Sequence, residues 1–394
     1  MMVALEPANE TSRPSLQHTS LTAGAALAIS LIVFSIAGVA SAWLGYGTPH
    51  LGGYGFSGFT IPDAISLESS VHQAWTSGWA VIPHILTFVG TVLLYYPTTL
   101  IGGTYSLFIN VLLLSAASVL FRSVIIKIGC SDSVGRTWII ALGIVSTNMY
   151  LIICMGYPNK EIPLIFLTTV FIFGIVHEKW HLLFISVFVS YWFRDGYALI
   201  LCMITLVVLC RRFTFASGGI LSVSFFAIVL IAFPIQDMSA VDPALQRNVR
   251  IGSIIAGDKF SVLGDVAGYG ARLVGNALNL GLRPQIVDVN GGIHLLGLGY
   301  WQFGIVLLAG LIWGVCNVLS RDIARGCVAL VILTSLLGIS YSTFVQPRYM
   351  MPLMFLLTLG LSKSRLGRYA VLPASIICPL VFLSLGVLPP LAEI

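Results

Sequence analysis

Charged residues are scarce in this chain, and their scarcity excludes a soluble architecture. Asp, Glu, Lys and Arg together make up 9% of the 394 residues, while 57% are hydrophobic and the mean hydropathy is +0.97. Soluble domains carry about 25% charged residues. Because a water-exposed surface cannot be built from this composition, we expect a protein embedded in a lipid bilayer.

Several chemical motifs are missing as well. The seven cysteines form no CxxC pair and lie in or beside apolar segments, so we expect them to act as small core residues. The glycine-rich segment 52–58 has no phosphate-binding lysine and does not have the spacing of a nucleophile elbow. Residues 1–22 lack the features of a cleaved signal peptide. We predict no cofactor and no bound metal.

Long apolar runs dominate the chain instead. Each is close to the ~20 residues that a helix needs to cross ~30 Å of hydrocarbon. Continuous runs favour helices over the alternating segments of a membrane barrel. The sequence therefore predicts an all-α, polytopic protein with one integral membrane domain over 1–394 and about eleven crossings. The predicted crossings are 23–45, 104–121, 137–155, 162–176, 181–193, 196–210, 217–234, 302–320, 326–345, 349–362 and 370–389.

Basic residues cluster in short turns between these crossings, and this pattern sets the predicted orientation. The positive-inside rule places such turns in the cytoplasm, with the N-terminus cytoplasmic and the C-terminus external. Orientation also accounts for the net charge of +5, so we expect no nucleic-acid partner. The basic turns are Arg122/Lys127/Arg136, His177 to His181, Arg211/Arg212, Arg321/Arg325 and Lys363/Arg365/Arg368.

Three further segments complete the predicted topology. The first external loop, 46–80, has no Lys or Arg. Residues 81–97 lie between two external turns, so we expect a re-entrant or interfacial element there. The long external loop 235–300 alternates in charge, and its apolar residues over 260–280 recur at helical spacing, which is typical of an interfacial amphipathic helix.

The less common ionisable residues fall on the predicted external face. Cations neutralise phosphate and a carboxylate can act as a base, so a mixed cluster suits chemistry on an anionic group. The alternative is that each residue is a solvated helix end. The residues in question are Asp63 and Glu68 in the first loop, Lys160/Glu161 at a helix start, Arg194/Asp195 at a helix end, and Arg348.

Three short motifs along the chain carry a family resemblance. They are Ile61-Pro62-Asp63-Ala64, Tyr157-Pro158-Asn159-Lys160-Glu161 and Pro347-Arg348-Tyr349-Met350-Met351-Pro352. In this order the chain resembles the GT-C class of integral membrane glycosyltransferases and their relatives in bacterial surface-polysaccharide assembly. The resemblance implies a GT-C-like helical bundle in the bacterial inner membrane.

The resemblance also implies substrates and residue roles. The donor would be a saccharide on a polyprenyl phosphate or pyrophosphate, and the acceptor a glycan or a lipid-linked saccharide, both at the external face. Asp63 would be the catalytic base, with Glu68 as its replacement. The remaining assignments are Lys160, Arg194 and Arg348 as phosphate ligands, and Glu161, Asp195 and Tyr349 as supporting residues.

O-antigen polymerases are a close alternative within this resemblance. The first loop has no Asp-Asp or Asp-Glu pair and no large C-terminal domain follows the last crossing, unlike the better-known transferases of the class. Polymerases of this type are polytopic and carry essential arginines in a long external loop. Phosphate binding would then involve Arg247, Arg250, Arg272 and Arg283 of the loop 235–300.

Two other functions remain open from the sequence. A saccharide transporter or flippase would also line a cavity with charges, although no related halves are visible. His177-Glu178-Lys179-Trp180-His181 matches the H-E-x-x-H zinc motif, and Asp288 would be a third ligand in an intramembrane protease. One helix through 162–193 would be ~48 Å long, however, which exceeds the bilayer. We therefore predict a cytoplasmic turn at 177–181.

Overall fold

The computed structural model describes residues 21–45, 62–77, 89–129, 134–213, 295–341 and 350–362, and all regular structure among them is helical. The predicted all-α class is thereby confirmed. The helices are α1 (Ala23–Gly45), α2 (Pro62–Thr76), α3 (Val89–Tyr95), α4 (Thr98–Ile101), α5 (Gly103–Lys127), α6 (Val134–Ser146), α7 (Met149–Met155), α8 (Glu161–Val176), α9 (Trp180–Phe193), α10 (Asp195–Phe213), α11 (Leu295–Asn317), α12 (Ile323–Tyr341), the 3-10 helix Met351–Leu353, α13 (Met354–Leu357) and α14 (Leu359–Ser362).

Two of these helices are long and apolar enough to cross a membrane. They are α1, over its residues Ala23–Ala42, and α5. Large apolar side chains point outward from the bundle: Ile36, Val39 and Phe188 are 66%, 67% and 66% exposed. Outward apolar faces of this kind suit lipid better than water. The helices are therefore those of a membrane-associated protein, and the count of about eleven crossings stays a prediction.

Helix α8 lies at the centre of the bundle. It packs against α5, α7, α9, α12 and the 3-10 helix, and nearly all of its side chains are buried. A helix that is apolar all round is expected to be surrounded by protein. Polar residues at either end of α8 are therefore drawn into the interior of the protein.

The crossing predicted over 137–155 consists of two helices, and whether they together form one crossing stays a prediction. Helices α6 and α7 meet at Thr147 and Asn148 with a bend of 66°. Asn148 ends the continuity because its side chain accepts a hydrogen bond from the Leu151 amide at 3.2 Å and caps α7. Its amide also donates to Oε1 of Gln302 on α11 at 3.0 Å, which ties the break to the neighbouring helix.

The basic turns lie together at one end of the bundle, which we call the basic end. It comprises the start of α1, the end of α5, the turn 177–179, the end of α10 and the turn 318–322. Hydrogen bonds join these parts: the Arg122 guanidinium donates to the Leu21 carbonyl at 2.5 Å, Arg211 to the Ser320 carbonyl at 2.8 Å, and Arg325 to the Ile128 carbonyl at 2.9 Å. Glu178 forms an ion pair with Arg212.

Several predictions lie outside the described residues. These are the crossings 217–234 and 370–389, the loop 235–300 with its amphipathic helix, most of the loop 46–80, and the turn Lys363/Arg365/Arg368. Of the re-entrant segment 81–97, the structure describes residues from Val89 onward, which form α3 and lead into α4. Whether this segment crosses the bilayer stays a prediction.

Candidate functional site

The end of the bundle opposite the basic end gathers the charged residues of the middle helices. Helices α8 and α9 form an antiparallel pair, so the start of α8 lies beside the end of α9 and the start of α10. The Tyr197 hydroxyl in the first turn of α10 contacts Thr168 of α8 at 2.8 Å. We call this region, together with the start of α5 and the helices α3 and α4, the Lys160 end. The backbones of Lys160, Glu161, Arg194 and Asp195 all belong to it.

Lys160 and Glu161 are buried, with 7% and 3% of their surfaces exposed. The alternative that this pair is merely a solvated helix end is therefore wrong. Its burial follows from the central position of α8, whose neighbours cover the first turn. Arg194, between α9 and α10, is partly buried. A lysine and a glutamate are almost never this buried unless they have a specific role or partner.

A network of amide and hydroxyl groups fixes the segment that precedes α8. The side-chain amide of Asn110 on α5 donates to the carbonyl oxygens of Met155 at 3.0 Å and Tyr157 at 3.2 Å. The amide of Asn159 donates to the carbonyl oxygens of Cys154 and Tyr157, both at 2.9 Å. The Tyr95 hydroxyl donates to Oδ1 of Asn110 at 2.5 Å. The connection from α7 to α8 is thus held in one conformation.

Glu161 is not fully satisfied by this network. Its Oε1 atom is buried and has no hydrogen-bond partner among the described residues. Leaving a buried polar group without a partner costs about 1–3 kcal/mol, and more when the group is charged. The fold tolerates this cost at the start of its most central helix.

Helix α2 is packed against the Lys160 end through its second half. Val71 and Ala74 lie in a cluster of buried side chains with Val89, Val92 and Tyr95. Tyr95 therefore belongs to this apolar cluster and also to the hydrogen-bond network around Asn159. Through it the position of α2 is coupled to the start of α8.

Asp63 and Glu68, the predicted catalytic carboxylates, both lie on α2. The structure describes their backbone and not their side chains, as is also the case for Asp195. It brings their helix to the Lys160 end, and the distance from either carboxylate to Lys160 stays a prediction.

The predicted residues of the later segments lie outside the described residues. Arg348 and Tyr349 precede Met350, where the described residues resume, and the 3-10 helix that follows Met350 packs against α8. Arg247, Arg250, Arg272 and Arg283 also lie outside, and so does Asp288. Their predicted roles are not tested.

The H-E-x-x-H segment does not form one helix. Helix α8 ends at Val176, His177 and Glu178 form a turn, and α9 begins at Trp180. Glu178 has a φ of 61°, in the left-handed region that an α-helix excludes. Nε2 of His177 contacts Oγ of Ser123 at 3.0 Å. The predicted turn is confirmed, and the motif does not provide the helical pair of histidines that the zinc site needs.

The electrostatics of this turn also favour an uncharged imidazole. Partial burial lowers the pKa of His177, and the positive charges of Lys127 and Lys179 lower it further. The hydrogen bond with Ser123 opposes the shift. Within the described residues, no group of three His, Cys, Asp or Glu side chains is placed to hold a metal ion.

The sequence reasoning missed Tyr95, Asn110 and Asn159. Asn110 had a usable signal, because an amide inside the apolar run of α5 is costly in a membrane and often functional. Asn159 had one too, since Asn three residues before Ile162 is typical of a helix cap: its Oδ1 accepts from the Ile162 amide at 2.9 Å. Tyr95 had none, because its partners are distant in sequence.

Comparison of the chain with family models, with curated proteins and with solved structures finds no match in any of the three. The function proposed below is therefore inferred from the residues of the Lys160 end.

Proposed function

We propose that this protein is an integral membrane glycosyltransferase or polysaccharide polymerase that uses saccharides linked to polyprenyl phosphate or pyrophosphate. The observation that carries this proposal is the buried Lys160–Glu161 pair, which shares one end of the bundle with Arg194 and is coupled to α2, the helix that bears Asp63. Buried cations beside carboxylates suit a substrate with a phosphate and hydroxyl groups.

The proposed chemistry divides the roles between these residues. Lys160 and Arg194, together with Arg348, neutralise the donor phosphate and stabilise it as the leaving group. The carboxylate of Asp63, or of Glu68 in its place, takes the proton of the acceptor hydroxyl. The acceptor oxygen then bonds to the anomeric carbon while the bond from that carbon to the phosphate oxygen breaks. The products are the extended saccharide and the free polyprenyl phosphate or pyrophosphate.

The proposed setting is the bacterial inner membrane, crossed about eleven times, with the basic end in the cytoplasm. The clustering of the basic turns at one end supports this orientation, because such turns are retained on the cytoplasmic side. The Lys160 end then faces outward. Nucleotide sugars do not reach that side, and this favours a lipid-linked donor.

A second candidate function is a saccharide transporter or flippase. The broken helix pair α6–α7 favours it, since transporters often build their binding sites from helices interrupted within the membrane. In this protein Gln302 fills the break with hydrogen bonds to Asn148, Thr147 and the Ile144 carbonyl. The Lys160 end supports the transferase more directly, because its charges are buried at an end of the bundle and not at the break.

The first test is the profile of lipid-linked saccharides in a strain lacking the gene, complemented with wild type or variants. We expect a lipid-linked intermediate to accumulate in the strain and to be cleared by wild type. Asp63→Asn and Lys160→Gln should fail to clear it. Lys179→Gln is the matched control, because it makes the same change at the exposed turn of the basic end.

All variants must reach the membrane at wild-type levels for this comparison. Clearance by both Asp63→Asn and Lys160→Gln would contradict the proposal. The side on which the intermediate accumulates separates the two candidates. A missing transferase or polymerase leaves it at the external face, whereas a missing flippase leaves it at the cytoplasmic face.

A further inference from the structure

A role in capping α8 does not explain why the Glu161 side chain is buried. The first turn of α8 has few amide groups in need of a cap, because Oδ1 of Asn159 already accepts from the Ile162 amide and Pro163 has no N–H. Oε1 of Glu161 receives no hydrogen bond from its own helix or from any other described residue. The carboxylate is therefore available as an acceptor.

Two hydrogen-bond donors close to the start of α8 in the described structure are engaged with other partners. The Tyr95 hydroxyl donates to Asn110 at 2.5 Å. The amide of Asn159 donates to the backbone carbonyls of Cys154 and Tyr157. Among the described residues, Oε1 of Glu161 is therefore left open to a donor from a bound molecule.

Other polar atoms of the Lys160 end share this property. The hydroxyl oxygens of Thr91 on α3, Ser106 in the first turn of α5 and Ser190 in the last turn of α9 are buried and have no hydrogen-bond partner among the described residues. Unpaired hydroxyl groups at the same end of the bundle as an unpaired carboxylate oxygen suit a ligand that has several hydroxyl groups of its own. A saccharide has this chemistry, and a hydrocarbon chain does not.

We propose that Glu161 recognises the saccharide of the lipid-linked substrate, with Oε1 accepting a hydrogen bond from a sugar hydroxyl. This inference rests on the function proposed above and gives Glu161 a direct role in place of a supporting one. A carboxylate repels phosphate and attracts a hydroxyl donor. Glu161 therefore selects the sugar, while Lys160 and Arg194 bind the phosphate that carries it.

The test compares the binding of two probes to the purified full-length protein in nanodiscs. The probes are a polyprenyl phosphate and the same polyprenyl phosphate linked to a hexose. We expect wild type to bind the glycosylated probe more tightly. Glu161→Gln should weaken that binding roughly tenfold, since it replaces a charged acceptor with a neutral one, and leave the binding of the bare phosphate unchanged.

Two variants serve as controls. Glu178→Gln makes the same change at the exposed basic end and should bind both probes as wild type does. Glu161→Met fills a similar space without a strong acceptor and should show a loss at least as large as that of Glu161→Gln. Because it removes an unpaired buried oxygen, it should unfold at a temperature no lower than that of wild type.

Each outcome decides a different question. If wild type binds neither probe, the proposed function is wrong and the role of Glu161 falls with it. If wild type binds both but Glu161→Gln and Glu161→Met keep its preference for the glycosylated probe, the proposed function stands and the role of Glu161 is wrong. Equal wild-type affinity for the two probes also overturns that role.

Discussion

Asn110 is the residue on which the geometry of the Lys160 end most depends. It is fully buried in α5, accepts a hydrogen bond from Tyr95, and donates to backbone carbonyls on the way from α7 to α8. Asn110→Ala would remove the acceptor of the Tyr95 hydroxyl and the side-chain donor to the Met155 carbonyl, while the Tyr157 carbonyl keeps its bond from Asn159. We expect a loss of about 1–3 kcal/mol in the free energy of unfolding. Thermal unfolding in detergent measures the change.

Ser106 provides the matched control on the same helix. It is also fully buried, and its hydroxyl has no hydrogen-bond partner among the described residues. Ser106→Ala removes this unpaired hydroxyl and should therefore cause no loss in the free energy of unfolding. Equal effects of the two substitutions would show that Asn110 acts through packing and not through its hydrogen bonds.

The sequence predicted much at the level of single residues and left out their connections. Lys160, Glu161 and Arg194 stand out in an apolar chain because charge is costly in a membrane, so composition alone identifies them. The contacts that bury the first two come from helices far away in the sequence. The network of Tyr95, Asn110 and Asn159 is tertiary for the same reason, and periodicity carries no signal for it.

Among the elements, the turn 177–179 has a predicted response to pH. The folded-state pKa of His177 lies below that of an exposed histidine, about 6.5, because of partial burial and the nearby Lys127 and Lys179. The folded state thus favours the neutral ring. Its contribution to stability is fully present above about pH 6.5 and is lost as the pH falls through the folded-state pKa.

The measurement is the unfolding temperature of the purified protein as a function of pH. We expect it to fall as the pH drops below about 6.5, and His177→Gln should reduce this dependence because it removes the titrating ring. His181→Gln changes an exposed histidine four residues on and should leave the dependence as it is in wild type. If His177→Gln keeps the wild-type dependence, another group titrates.

The predicted boundaries were accurate where apolar runs end at polar turns. The crossing 23–45 coincides with α1, and 162–176 and 181–193 differ from α8 and α9 by one residue at the start. The sequence did not indicate the break within 137–155, where the residues stay apolar but the helix is interrupted. The side chain of Asn148 caps α7 and also forms a hydrogen bond with Gln302. Hydropathy does not predict either interaction.

At the scale of the whole molecule, the bundle separates charge between its two ends. The basic end joins arginines from α5, α10 and α12 to neighbouring turns through backbone carbonyls. The Lys160 end instead combines a buried lysine and a partly buried arginine with a buried carboxylate. The positive-inside rule, applied to the clustered basic turns, predicts that the two ends face opposite sides of the membrane.

Cysteine labelling tests this arrangement in a variant whose seven natural cysteines are replaced. Thr104→Cys is exposed at the start of α5, at the Lys160 end, and Lys179→Cys is exposed in the turn at the basic end. In intact cells, a membrane-impermeant maleimide should label Thr104→Cys, and it should label Lys179→Cys only after permeabilisation. The reverse pattern would place the Lys160 end in the cytoplasm. Nucleotide sugars would then be accessible to Lys160 and Glu161, and the reason for a polyprenyl-linked donor would be lost.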